Sequence, residues 1–113
     1  MVTARGQIYW CELDPVVGHE QGSRRPVVIV SSDYYNNSQT SLAAIVPLTK
    51  APPKNPLHFV LPASATGMSA PSTVLIDHAK FLDKSRLLGA PIGQVSPRSM
   101  ALFARQLKRV LDI

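Results

Sequence analysis

Residues 7–13, QIYWCEL, and residues 26–30, PVVIV, are the stretches whose reading decides the fold. Both are rich in β-branched and aromatic residues. The first alternates, with Ile8 and Trp10 on one side and Tyr9, Cys11 and Leu13 on the other, as a strand requires. Asp14-Pro15 ends that run, and the polar segment PVVGHEQGSRR separates it from the next. A connection of about ten residues is longer than the roughly 2 to 5 of an ordinary hairpin. Ordered connections of that length tend to carry function.

Working outward, LAAIVPLT (42–49), HFVL (58–61) and STVLID (72–77) read as further strands. KFLDKSRLLGAPIGQV (80–95) reads as a short turn followed by a last strand. DYYNNSQT (33–40) predicts a short helical turn capped by Asp33 or a serine, and ASATGMSAPS (63–72) reads as a loop after the proline-rich APPKNP (51–56). The end of the chain differs in kind. Ser96-Pro97 is a cap followed by a first-turn proline, and Met100, Phe103, Ala104, Leu107, Val110 and Leu111 recur at helical spacing. Arg98, Arg105, Lys108 and Arg109 fall mainly opposite. The expectation is one mostly β (α+β) domain over residues 1–113, a small bent barrel of five to seven short antiparallel strands with a C-terminal amphipathic helix.

Composition narrows the function classes. With 45% hydrophobic and 17% charged residues the chain is a folding sequence rather than a disordered one, and a net charge of +5 suits a polyanion partner. The single cysteine, Cys11, excludes an intramolecular disulfide and a multi-thiolate metal site. No run approaches the roughly 20 apolar residues of a membrane span, and the start lacks a signal-like apolar region, so a cytoplasmic protein without a membrane role is expected. His19, His58 and His78 are scattered, without a cysteine or carboxylate at ligand spacing, so no metal site is expected. No serine sits in a Gly-x-Ser-x-Gly elbow. Trp10, Tyr34 and Tyr35 offer stacking surfaces, with core or interface packing the favoured use of Trp10, and Asp77 and Asp83 read as turn or structural carboxylates.

Taken together, RGQIYWCELDPVVGHEQGSRRPVVIVS (5–31) resembles the opening of the MazF/PemK (Kid) toxin family, with its Arg-Gly, aromatic strand, Leu-x-Pro, Gly-x-Glu-x-Gly and Arg-Pro. AAIVPLTK is similar to the family's Pro-[Leu/Ile]-Thr strand end, and VLIDHAKFLDKSRL to its hydrophobic-Asp segment ending in Arg-Leu. This resemblance implies an SH3-like barrel and a homodimeric toxin of a type II toxin–antitoxin system. It also implies cleavage of single-stranded mRNA at short sequences without metal or cofactor, silenced by a MazE-like antitoxin. By position, Arg25 and Thr49 match the family's catalytic pair. Glu20 joins them as a candidate for proton transfer, with His19 beside it, and His19, Gln21, Arg24, Lys50, Asp77 and Lys80 are candidate substrate contacts. Two departures stand out. The familiar Gln and Arg after the aspartate are His78 and Lys80, and the arginine some relatives place two residues before it is Leu75. Lysine keeps the charge but loses the bidentate fork.

The chemistry fits these residue types. RNA carries its own nucleophile, the 2′-OH, which attacks the neighbouring phosphate to give 2′,3′-cyclic phosphate and 5′-OH ends. The transition state gains negative charge, which a planar guanidinium is built to neutralise. Arginine is ordinarily protonated and therefore a poor base, so proton transfer falls to Glu20 or His19, and Thr49 would hold the phosphate or position Arg25. Two rival functions share the fold: a toxin acting on a protein target such as gyrase, and a non-catalytic RNA-binding barrel.

Overall fold

The computed structural model describes residues 3–13 and 24–113. Its strands are β1 (Gln7–Glu12), β2 (Arg24–Ile29), β3 (Leu42–Thr49), β4 (Phe59–Leu61), β5 (Ser72–Val74), β6 (Lys80–Asp83) and β7 (Leu87–Gln94). Its helices are α1 (Asp33–Asn36), α2 (Ala63–Thr66) and α3 (Pro97–Leu111), with single 3-10 turns at Ile76–His78 and Lys84–Arg86. All pairings are antiparallel, in the order β4-β5-β3-β2-β1-β7, with β6 also pairing β3.

Period-two alternation sorts the apolar residues onto two faces. Tyr9, Cys11, Val27, Ile29, Ala43, Ile45, Leu82 and Leu87 form one core cluster drawn from β1, β2, β3, β6 and β7. These five strands run β7-β1-β2-β3-β6, and the Lys84–Arg86 turn joins the two outer ones, which curls the sheet around this cluster. The other face carries Ile8, Val28, Val46, Leu48 and Val74, and α3 covers it with Met100 and Phe103. Phe103 is fully buried and meets Phe59 edge-on at 5.4 Å.

Helix α3 starts where expected, with Ser96 Oγ accepting the Ser99 N–H and Pro97 in the first turn. Its packed face is shorter than the pattern predicts. Val110 and Leu111 are 37% and 60% exposed, because the last turn runs past the sheet it covers, while Gln106 is buried and donates to the Leu57 carbonyl at 3.2 Å. Three further expectations are corrected. The stretch read as a loop at 63–72 begins with α2, which ends at Gly67 in a left-handed conformation (φ +76°) that glycine adopts at no steric cost. KFLD is strand β6 rather than a turn, since Phe81 and Leu82 pair with Ala44 and Ala43. STVLID is a strand only over Ser72–Val74, after which the chain turns at Ile76–His78. Among the described residues no helix is long and apolar enough to cross a membrane.

Candidate active site

A cavity of about 450 Å³ opens where β1, β2 and β3 end together. In the β1–β2 ladder Trp10 pairs with Pro26 and Cys11 with Arg25. In the β2–β3 ladder Val27 pairs with Pro47 and Val28 with Val46. Just beyond the last pair of that ladder come Arg25 and Pro26 on β2 and Leu48 and Thr49 on β3. All four line the cavity, together with Arg24 and Lys50. The far wall is Met68 to Ser72, the connection from α2 into β5. Among the described lining residues three are cationic and none is acidic, so the cavity favours an anion.

Thr49 is held by its own backbone and by β5. Its Oγ1 accepts the Ala51 N–H at 3.2 Å, and the Ala51 carbonyl accepts the buried Thr73 hydroxyl at 2.7 Å. Since that Oγ1 lone pair is already engaged, the Thr49 hydroxyl hydrogen is available to donate into the cavity. Arg24 and Arg25 are exposed at the start of β2, with no acidic partner among the described residues. Arg86 donates to the Glu12 and Leu13 carbonyls at 3.2 and 2.9 Å and so anchors the chain where it leaves β1.

The structure therefore brings together Arg24, Arg25, Thr49 and Lys50. His19, Gln21 and Glu20 lie outside the described residues. Asp77 and Lys80, the other candidate substrate contacts, do not line the cavity. Lys80 opposes Ile45 at the start of β6, and Asp77 sits in the turn before it, bonded to His58. Of the two packing uses expected of Trp10, the core is excluded: it is 44% exposed and lines the cavity. The wall from Met68 to Ser72 carries no sequence signal for a site, because small and apolar residues acquire a role there only through proximity to β3.

The histidines also depart from expectation. His58, Asp77 and His78 converge, with their ligand-capable atoms within 4.8 Å of one another. His58 Nδ1 accepts the Lys54 N–H at 3.3 Å, which leaves the ring proton on Nε2, donated to Asp77 Oδ1 at 2.7 Å. A metal ion would have to displace that proton, so the pair reads as a carboxylate-anchored structural histidine. Partial desolvation pushes the Asp77 carboxyl up, but hydrogen bonds from His58, its own backbone and Asn55 outweigh it and hold the pKa below the ordinary value.

The family model described as PemK-like, MazF-like toxin of type II toxin-antitoxin system matches residues 4–111. The chain belongs to this family. Within the PemK/MazF family it is 36% identical to Endoribonuclease MazF2 of Mycobacterium bovis, over 100% of both chains. A crystal structure of MazE-MazF from Deinococcus radiodurans superposes with a TM-score of 0.82 at 31% identity, covering 100% of this chain and 98% of that one. An endoribonuclease in complex with its cognate antitoxin from Mycobacterial species gives a TM-score of 0.77 at 27% identity, covering 98% and 96%. The seven-stranded antiparallel sheet with a C-terminal helix is thus the fold of MazF proteins.

Proposed function

We propose that the chain is the endoribonuclease toxin of a toxin–antitoxin pair, cutting single-stranded RNA in the cavity where β2 begins and β3 ends. The observation that carries this reading is Arg25 and Thr49 lining one cationic cavity. Arg25 neutralises the phosphorane as the 2′-OH attacks, and Thr49 donates its hydroxyl to a phosphate oxygen. The 2′-OH proton leaves to a base and the departing 5′-oxygen takes one up, giving 2′,3′-cyclic phosphate and 5′-OH ends. Glu20 and His19 are the candidates for those transfers. Arg24 and Lys50 hold flanking phosphates. The same cationic surface suits an acidic antitoxin segment that folds as it binds. A cytoplasmic homodimer, acting without a metal ion, completes the reading, which family membership supports.

The test is incubation of the purified protein with a long single-stranded RNA in excess EDTA, alongside Arg25→Ala and Thr49→Val, with mapping of cut positions and end groups. Discrete cuts with cyclic-phosphate ends, lost in Arg25→Ala, are expected. Equal cutting by the variant refutes the role of Arg25, and no cutting by the parent refutes the ribonuclease reading and favours a protein target or plain RNA binding.

A further inference from the structure

The cavity lining combines two chemistries. Arg24, Arg25 and Lys50 offer cations, whereas Trp10, Met68 and Pro71 offer flat or apolar surface. A nucleotide has the same two parts, an anionic phosphate and a planar, largely apolar base. Trp10 itself stands where the core face of β1 runs out. Ile8, two residues earlier on that face, is fully buried, and Trp10 is left 44% exposed. The register between β1 and β7 slips between these two positions, and irregularities of this kind commonly re-aim a side chain beside a functional site. Pro26, paired with Trp10, also lines the cavity, so the indole stands one row from Arg25.

The geometry points to Trp10 as the stacking platform for the nucleobase adjoining the scissile phosphate, with Met68 and Pro71 as the facing wall. This inference rests on the ribonuclease reading and adds a substrate contact that the sequence reading did not favour. Every base presents a π face, so stacking is tolerant of sequence. Trp10 therefore sets affinity and alignment, while the identity of the bases cut is decided elsewhere. An aromatic whose role was packing alone would respond differently, because its removal would lower thermal stability without a selective rise in KM.

Trp10 is the only tryptophan in the chain, so its fluorescence reports on this cavity alone. The experiment titrates the full-length protein with a single-stranded DNA version of a mapped cleavage sequence, which lacks the attacking hydroxyl. Tryptophan emission and the anisotropy of a dye on the oligonucleotide are read in parallel. A saturable emission change tracking the anisotropy is expected, and it disappears when one nucleotide beside the cut position is made abasic. Trp10→Leu should weaken binding about 5- to 100-fold, with Trp10→Phe retaining most of it. On RNA, Trp10→Leu should raise KM more than it lowers kcat and leave the cut positions unchanged. Anisotropy binding with unaltered emission, or undiminished binding by Trp10→Leu, overturns the role of Trp10 and leaves the ribonuclease reading standing. Absence of binding to both the DNA and the RNA form overturns both.

Discussion

Thr73→Val tests whether β5 positions the catalytic strand end. Valine keeps the shape of threonine and deletes one hydroxyl, at a residue only 4% exposed that sits opposite Thr49 in the β3–β5 ladder. The hydroxyl donates to the Ala51 carbonyl at 2.7 Å, and the Ala51 N–H in turn holds Thr49 Oγ1 at 3.2 Å. Losing the donor strands that carbonyl, at a cost of about 1–3 kcal/mol depending on whether water replaces it. For a domain near this size each kcal/mol shifts Tm by about 4–8 °C, so thermal unfolding should occur at least about 4 °C lower. Release of Ala51 also frees Thr49, and since a misplacement of about 1 Å can cost about a hundredfold, kcat should fall about tenfold or more with KM little changed. Thr73→Ser keeps the donor and should recover both. Calorimetry and initial rates on a defined RNA are the assays. Unchanged Tm and kcat in Thr73→Val, or a Thr73→Ser variant as impaired as the valine, would refute the reasoning.

Phe103→Ala removes a fully buried ring that α3 stacks on Phe59, and should cost about 3–5 kcal/mol, read as a denaturation midpoint shift at fixed protein concentration. The Asp77 carboxyl is held below its ordinary pKa in the folded state, so its stabilisation is full above the unfolded value near about 3.9 and is lost as pH falls through the folded value. Between neutral pH and about pH 3 the parent should lose more Tm than Asp77→Asn, and equal losses would exclude this contribution. Desolvation of the fully buried Cys11 pushes its thiol pKa up, so reaction with a disulfide reagent should be slow in the native protein and fast after denaturation. Rapid native-state labelling would place that thiol outside the core.

Much of this molecule is legible along the chain because alternation and capping are local. QIYWCEL, LAAIVPLT and the Ser96-Pro97 start of α3 carry their period and their punctuation within a few residues, and each forms where the pattern puts it. Shorter segments are less legible. KFLD has too few residues to show a period, and becomes a strand because β3 offers it a free edge. Val110 and Leu111 have the right spacing for a core face, but burial depends on where the sheet stops.

The residue types that suit phosphate chemistry, Arg25 and Thr49 among them, were decided by the sequence itself, since charge and hydrogen-bonding capacity are properties of the side chain. Their convergence was decided by the register of β2 against β3, a pairing between segments some twenty residues apart. The same long-range packing turned Trp10 out of the core, built a wall from Met68 to Ser72, and drew His58 onto Asp77 while keeping Asp77 away from the cavity. A sequence pattern reports which face of an element is apolar. What that face meets, and where the protein runs out of atoms to cover it, is determined only when distant segments pack.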